Sequence, residues 1–283
     1  MKILVTGAKG QLGYDVVNEL NNRGHCVIGV DIDEMDITDY NSVEKCFAAS
    51  EPDAVVHCAA WTAVDAAESN VEKCRLVNAK GTENITEFAR KYNAKLVYIS
   101  TDYVFNGEGE KPWKPDDKRE PLNIYGLTKY EGELAAEKYE KTFIIRIAWV
   151  FGKNGNNFVK TVLKLAETNS VLNFVNDQVG TPTYTFDLAK LIADMLETEK
   201  YGKYHATNEG GYISWYDFVI EILKQKGINN ITVNPVTSEM FKTAAKRPHN
   251  SRLDKSKLAE NGFALLPDWK DALHRFLMET GEI

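Results

Sequence analysis

The sequence predicts an α/β protein built on a doubly wound parallel sheet, with a smaller α/β region at its C-terminal end. Short apolar runs of about five residues alternate with amphipathic stretches through the first half of the chain. Such runs are typical of parallel strands that are buried on both faces and connected by helices. A glycine-rich segment also follows the first run and opens the first helical stretch. Together these observations favour a Rossmann-like fold.

The first 150 residues are predicted to hold five strands with helices between them. Gly24 is expected to end the first helix, since glycine is common just past a helix C-terminus. The predicted strands are KILVT (2–6), CVIGV (26–30), DAVVHCA (53–59), LVYIS (96–100) and FIIRIA (143–148), and the predicted helices include 11–23, 70–92 and 125–141.

The second half of the chain is less regular. We predict a dinucleotide-binding domain over residues 1–150 and a mainly substrate-binding region over residues 151–283, with residues 175–205 considered as a segment that rejoins the sheet. The predicted helices here are 156–168, 184–198, 214–226 and 268–279, and short strands are expected near 171–175 and 203–206.

Composition narrows the function classes. The net charge of −7 argues against a nucleic-acid partner, which would usually require a basic surface. No run of about 18 apolar residues predicts a membrane span, and MKILVTG passes straight from a short apolar run into a glycine turn, unlike a signal peptide. We therefore expect a cytoplasmic protein with no membrane partner.

The four cysteines form no C-x-x-C pair, so neither zinc nor redox spacing is present. Cys26 and Cys58 lie in apolar runs and are expected to be buried thiols. The five histidines are scattered, and no cluster with metal-ligand spacing is found. The sequence therefore predicts no metal site.

The segment TGAKGQLG (6–13) lies between the first strand and the first helix. Gly7, Gly10 and Gly13 permit a tight turn and a close approach of a pyrophosphate, while Gln11 and Leu12 begin a helix whose free N–H groups favour an anion. The segment is predicted to bind the phosphates of a dinucleotide.

Asp31 ends the second strand, close to where a carboxylate binds the adenosine ribose in such folds. It would repel a 2′-phosphate, and no arginine adjoins it, so NADH is favoured while NADPH remains an alternative. Asp36 and Ile37, in DIT (36–38), are candidates for the adenine contact, although a surface loop explains them almost as well.

Two segments carry residues suited to proton transfer. STDY (100–103) follows the fourth strand, at the edge of the sheet where ligands bind. IYGLTKYEGE (124–133) places Tyr125 and Lys129 four residues apart, so both side chains face the same side of a helix. The spacing alone is also common in ordinary polar helices.

These motifs resemble the extended short-chain dehydrogenase/reductases. Further segments spread over nearly the whole chain resemble one branch of them, the dTDP-4-dehydrorhamnose reductases. They are CAAWTAVDAAES (58–69), STDYVFNG (100–107), PLNIYGLTKYEGE (121–133), RIAWVFG (146–152), NNFVKT (156–161), NDQVGTPT (176–183) and RPHNSRLD (247–254).

The resemblance implies a catalytic set of Thr101, Tyr125 and Lys129. Tyr125 would give a proton to a ketone oxygen during hydride transfer, with Lys129 lowering the phenol pKa and binding the nicotinamide ribose, and Thr101 bonding the oxygen. The resemblance places the central part of the cofactor by Ala59, Ala60 and Thr62, and a water near Asn78, although a buried asparagine satisfied by backbone is an equal alternative. Cys58 stands where many relatives have asparagine.

The implied substrate is a thymidine diphosphate carrying a 4-keto-6-deoxyhexose. Arginine suits a diphosphate, and an aromatic side chain suits a sugar or base. Magnesium is uncertain: Asp15 could replace one glutamate of a site described in some relatives, but the set is incomplete. The candidate substrate residues are Thr101, Asp102, Val104, Trp149, Asn156, Asn157, Arg247 and Asn250.

The resulting hypothesis is an NAD(P)H-dependent reductase that converts dTDP-4-dehydro-L-rhamnose to dTDP-L-rhamnose for cell-surface polysaccharide, with a homodimer as one assembly considered. Two alternatives stay open. One is a nucleotide-sugar epimerase or dehydratase, although the Asp–Glu pair of a dehydratase is missing after Thr101. The other is a non-catalytic, nucleotide-bound regulatory subunit.

Overall fold

The computed structural model describes residues 1–283. Its first half consists of β1 (Lys2–Thr6), α1 (Gln11–Asn22), β2 (Cys26–Val30), α2 (Tyr40–Ser50), β3 (Ala54–His57), α3 (Val64–Ser69), α4 (Val71–Arg75), α5 (Thr82–Lys91), β4 (Lys95–Thr101), α6 (Ile124–Ala136) and β5 (Thr142–Ile147). A π-helical turn, Leu76–Gly81, interrupts the helix that was predicted over 70–92, and the helix predicted over 125–141 ends at Ala136.

The second half adds short strands and five more helices around a separate core. These elements are β6 (Val150–Phe151), α7 (Phe158–Thr168), β7 (Val171–Val175), β8 (Val179–Gly180), β9 (Thr183–Tyr184), α8 (Thr185–Leu196), β10 (Gly202–His205), β11 (Asn208–Glu209), β12 (Ile213–Ser214), α9 (Trp215–Lys226), β13 (Thr232–Val236), α10 (Ser256–Glu260), β14 (Leu266–Asp268) and α11 (Trp269–Glu279).

The central sheet has six parallel strands in the order β10-β5-β4-β3-β1-β2. The chain progresses outward from β1 in both directions, so the strand order reverses between β1 and β3. In doubly wound sheets, ligands bind beyond the carboxyl ends of the strands at this point. The predicted fold class is confirmed.

Apolar side chains cover both faces of the sheet. On one face α1 and α8 pack over β1, β3 and β5, and on the other face α2 and α5 contribute Phe47 and Phe88 to a second cluster. β2 departs from the predicted burial, because it is an edge strand with only Val30 buried. Cys26, at the start of β2, is therefore exposed, and Cys58, after β3, is only partly buried. The expectation of buried thiols at these two positions is wrong.

The C-terminal region has its own aromatic core, which includes Phe151, Phe218, Trp269 and Phe276. The chain nevertheless returns to the central sheet, where β10 pairs with β5 and α8 packs on α1. No helix combines the length and the apolar character needed to cross a bilayer.

Candidate active site

A cavity of about 760 Å³ opens at the carboxyl ends of β1, β3, β4 and β5. This volume lies within the range of small-molecule sites. The segments that line it follow successive parallel strands, which is why residues far apart in sequence meet there. The predicted residues that line it are Gly7, Gly10, Gln11, Leu12, Gly13, Asp31, Asp36, Ile37, Ala59, Ala60, Thr62, Thr101, Asp102, Tyr125, Lys129 and Trp149.

The glycine loop leaves no room for side chains at two positions. Gly7 has φ +65°, and a Cβ there would lie 2.8 Å from the Ala59 nitrogen. A Cβ at Gly13 would lie 2.1 Å from the Gly7 carbonyl oxygen. The loop therefore packs directly against the segment after β3 and presents the N-terminus of α1 to the cavity, an arrangement that suits a phosphate. Gln11 also lines the cavity, and its Oε1 is buried without a protein partner.

Acidic side chains surround the end of β2. Asp31 accepts hydrogen bonds from the backbone nitrogens of Lys9 at 3.1 Å and Ile32 at 2.9 Å, which fixes its carboxylate at the cavity edge. The Lys9 ammonium is engaged by Asp33 at 3.1 Å and by Glu34 at 3.0 Å. Three carboxylates and one lysine thus leave this edge of the cavity negative.

The predicted adenine contacts lie just beyond that edge. Ile37 is buried and lines the cavity. Asp36 also lines the cavity, but its carboxylate accepts bonds from the Thr38 nitrogen and hydroxyl in a local turn.

The three predicted catalytic residues meet at the cavity floor. Thr101 ends β4, and Tyr125 and Lys129 lie one turn apart on α6. The Asn123 side chain starts α6 by accepting from the Gly126 nitrogen at 2.8 Å. The Lys129 ammonium donates to the Ile99 carbonyl oxygen at 2.7 Å.

Burial is the largest influence on the pKa values of Tyr125 and Lys129. It lowers the pKa of Lys129 to about 7, with the Glu133 carboxylate opposing the shift. It raises the pKa of Tyr125 above its ordinary value, and hydrogen bonding with the Thr101 hydroxyl offsets only part of the increase. The phenol pKa is thus raised and not lowered as expected, because desolvation outweighs the hydrogen bond with Thr101. Tyr125 is therefore a neutral phenol at physiological pH, the form that can give up a proton.

Asp102 is an ionisable group at the cavity wall with an incomplete set of partners. It is 2% exposed, and its Oδ1 accepts from the Thr101 hydroxyl at 3.1 Å while its Oδ2 has no partner. Burial raises its pKa to about 6, although Ser251 and Thr101 oppose the shift. A group of this kind is suited to a polar ligand atom.

Trp149 forms the aromatic part of the wall in a strained backbone conformation. Its φ is +50°, a region that bulky residues rarely occupy. Its indole stacks on that of Trp215, with ring centroids 3.7 Å apart and 14° between the planes. The stack over the C-terminal core holds Trp149 toward the cavity.

The remaining predicted residues lie outside the cavity and have structural contacts. Val104 is fully buried beside Phe105, and Asn157 caps α7 by accepting from the Lys160 nitrogen. Asn250 donates to the Glu108 and Lys111 carbonyl oxygens, and these hydrogen bonds join two loops.

Asn156, Asn78 and Arg247 also lie outside the lining. Asn156 is exposed. Asn78, in the π-helical turn, bonds the Trp61 backbone nitrogen and carbonyl, which agrees with the structural alternative. Arg247 makes two hydrogen bonds to Asp65, next to Val64 of the cavity lining.

Among the lining residues that the sequence did not single out, Trp61 and Lys73 have side chains suited to binding a ligand. Trp61 follows the Ala59–Ala60 pair, and its position after β3 was a usable signal. Lys73 places a cation at the cavity wall from α4, but nothing in the sequence distinguishes it from any surface lysine.

The structure contains no cluster of three or more potential metal ligands. Asp15, the candidate for a magnesium ligand, accepts instead from the Thr185 hydroxyl, and burial raises its pKa to about 6. The nearby Glu279 is bonded to the Tyr184 hydroxyl and paired with Lys153. These residues do not fit a magnesium site.

Comparisons with known proteins identify the family. The model of the RmlD substrate binding domain matches residues 1–281. The chain belongs to this family. Among its relatives, the dTDP-4-dehydrorhamnose reductase of Aggregatibacter actinomycetemcomitans is 40% identical over 96% of this chain and 97% of its own length. The spore coat polysaccharide biosynthesis protein SpsK of Bacillus subtilis is 40% identical over 98% of this chain and 97% of its own.

The fold agrees with the RmlD substrate binding domain family as well. A dTDP-4-dehydrorhamnose reductase from Bacillus anthracis, solved in complex with NADP, superposes with a TM-score of 0.95. It is 38% identical, and the match covers 99% of each chain. The resemblance seen in the sequence motifs thus extends over the whole molecule.

Proposed function

We propose that this protein is a reductase that uses NAD(P)H to convert the 4-keto group of dTDP-4-dehydro-L-rhamnose to the hydroxyl of dTDP-L-rhamnose. The convergence of Thr101, Tyr125 and Lys129 at the carboxyl ends of the strands is the observation that carries the proposal. Relatives named for this activity align over nearly the full chain. The product would supply polysaccharide synthesis in the cytoplasm.

The residues around the cavity fit a nicotinamide dinucleotide. The glycine loop and the N-terminus of α1 would hold its pyrophosphate, Asp31 its adenosine ribose, and Lys129 its nicotinamide ribose. Bound there, the cofactor supplies the hydride for the ketone carbon.

Side chains of the protein would stabilise and then neutralise the negative charge that develops on the ketone oxygen. The Thr101 hydroxyl donates a hydrogen bond to that oxygen, and Tyr125 transfers its phenolic proton to it. The Lys129 cation stabilises the phenolate that remains until Tyr125 is reprotonated. Trp149 and the segment after β3 line the same cavity as these groups.

We further propose NADH as the preferred cofactor. Asp31 lines the cavity where the adenosine ribose is expected, and Asp33 and Glu34, which follow it in the chain, are paired with Lys9. A 2′-phosphate would meet this negative edge. The NADP-bound relative from Bacillus anthracis makes NADPH the direct competitor in any assay.

The proposed sugar subsite lies between Trp149 and Asp102, where an aromatic face meets a buried carboxylate. Arg247 is proposed for the diphosphate. Its guanidinium is bonded to Asp65, and Val64, the residue before Asp65, lines the cavity.

The test is a panel of nucleotide 4-ketosugars with thymidine and uridine bases, assayed with NADH and with NADPH. The proposal expects NADH oxidation in a one-to-one ratio with the thymidine 4-ketosugar. Product formation without net NADH oxidation would replace it with an epimerase or dehydratase. NADH binding without turnover of any sugar would indicate a regulatory subunit.

A further inference from the structure

Three consecutive residues at the end of β4 meet three residues of α6 that lie on successive turns of one helix face. Every contact is made in or directly behind the cavity floor, and two of the three pairs involve the proposed catalytic side chains. Hydrogen bonds join Ile99 to Lys129 and Ser100 to Glu133, and the third pair, Thr101 and Tyr125, lines the same cavity.

The middle pair contains a carboxylate that the proposed mechanism does not use. Glu133 has 0% exposure and does not line the cavity. Its Oε1 accepts from the Ser100 hydroxyl at 2.5 Å and from Arg146 Nε at 2.7 Å. Its Oε2 accepts from Arg146 Nη2 and from Arg119 Nη1, both at 2.8 Å. Glu133 is therefore bonded through both oxygens outside the cavity.

These partners keep Glu133 ionised. Burial alone would raise its pKa, but Arg146, Ser100 and Arg119 hold the pKa below its ordinary value. Arg146 also has 0% exposure, and its Nη1 donates to the Pro115 carbonyl at 2.8 Å and lies 3.2 Å from His205 Nε2. The network thus links α6 to β4, β5 and β10.

Lys129 is faced by other titratable groups, but Glu133 is the one that carries full negative charge at neutral pH. The thiols of Cys58 and Cys74 and the phenols of Tyr98 and Tyr125 all have raised pKa values and stay neutral, and burial lowers the pKa of His57 to about 3. The facing groups are Tyr125 and Glu133 on α6, Tyr98 on β4 with its ring centroid 4.1 Å from Lys129 Nζ, His57 on β3, Cys58 after it, and Cys74 on α4.

We propose that Glu133 is a positioning residue for the reductase. Clamped by Arg146 and Ser100, it fixes α6 against β4 so that Tyr125 and Lys129 face Thr101, and it places a carboxylate one helical turn from Lys129. The inference rests on the proposed function in one respect, namely that the reaction needs the Lys129 cation.

Glu133→Gln tests the charge. It removes the negative charge while keeping the shape and one carbonyl acceptor. The largest effect that opposes burial at Lys129 is then lost, so the alkaline limb of the kcat/KM profile should move to lower pH by about one unit. NADH affinity, measured by fluorescence titration over the same pH range, should show the same displacement.

A double variant guards against a folding failure. Glu133→Gln leaves Arg146 buried without its anion, which can be strongly destabilising, whereas removing both partners of a buried pair is often tolerated. Glu133→Gln/Arg146→Met should therefore fold and show the same displaced limb, because Arg146 is not among the groups that face Lys129.

Ser100→Ala separates position from charge. It removes one bond between β4 and Glu133 but leaves the carboxylate with its two arginines. We expect kcat to fall about tenfold, the loss of one charge-assisted hydrogen bond, with the alkaline limb unmoved.

Asp187→Asn is the matched control. Asp187 is a buried carboxylate with two bonds to Arg275 and one from Asn208, and it lies outside the cavity. Its loss should lower the Tm without moving the alkaline limb. If the Glu133 variants lower the Tm in the same way and also leave the limb unmoved, the positioning role is refuted. If the wild-type chain oxidises no NADH with any ketosugar, the proposed function fails instead, and the NADH titrations still decide the role of Glu133.

Discussion

Replacing Tyr125 with phenylalanine tests the proposed proton donor most directly. The variant keeps the ring, which lies edge-on to Tyr103 with centroids 5.5 Å apart, and removes only the hydroxyl. Of the other groups in the cavity, Asp102, with a pKa of about 6, is ionised at pH 7.5, and the Thr101 hydroxyl is too weak an acid to release its proton, so Tyr103 is the remaining phenol to compare.

The magnitude follows from that geometry. General acid catalysis contributes about 10²–10⁴-fold, so if Tyr125 is the proton donor we expect a loss of at least about 10³-fold in kcat, or about 4 kcal/mol of activation free energy. NADH affinity should change by no more than one hydrogen bond, about fivefold, because the glycine loop and Asp31 are untouched. Stability should fall by about 1 kcal/mol at most.

The assay follows NADH absorbance with the thymidine 4-ketosugar, with NADH binding measured separately by fluorescence. Tyr103→Phe provides the comparison, since a second phenol lines the same cavity. Near-normal turnover by Tyr125→Phe, or a larger loss in Tyr103→Phe, would refute the assignment of the proton donor.

Three further predictions concern the cofactor edge, the loop and the buried acid. Asp31→Ser removes the carboxylate nearest the ribose, so the NADPH-to-NADH ratio of kcat/KM should rise at least about tenfold, and an unchanged ratio would exclude Asp31 as the selector. Gly13→Ala places a Cβ 2.1 Å from the Gly7 carbonyl oxygen, so NADH affinity should fall by at least about tenfold in a titration, and wild-type affinity would contradict the close packing. Asp102 has its pKa raised from 3.8 to about 6, so its favourable contribution to folding is present below pH 4 and is lost as pH rises through 6. Asp102→Asn should therefore raise the free energy of unfolding at pH 7.5 by up to about 3 kcal/mol and change it little at pH 4, and denaturant melts that show no gain at the higher pH would contradict this.

The sequence predicted the strands well because burial on both faces leaves a continuous apolar run, as in β1, β3, β4 and β5. β2 has a similar composition but lies at the edge, and only the strand order reveals this. The sequence pattern over 70–92 also did not reveal the π-helical turn, within which Asn78 bonds the Trp61 backbone, a tertiary contact.

The site residues also divide into those that the sequence pattern predicts and those that tertiary contacts determine. Those next to a strand end, such as Gly7, Asp31 and Thr101, line the cavity, because parallel strands bring their carboxyl ends together. Residues predicted only from the chemistry of their side chains do not line the cavity. Asn157 caps a helix, and Arg247 pairs with Asp65, 182 residues away. Hydrogen-bonding side chains serve caps and ion pairs as readily as ligands, and spacing in sequence does not distinguish these uses.

The return of the chain to the sheet determines when the first half can finish folding during synthesis. β5 ends at Ile147, yet its outer neighbour β10 begins only at Gly202, and the α8 side chains that cover Leu12 and Val16 of α1 arrive in the same stretch. A nascent chain stalled near residue 150 would expose the unpaired edge of β5 and an apolar face of the cofactor helix. Limited proteolysis near that position should therefore yield fragments that stay associated, and neither fragment expressed alone should bind the cofactor.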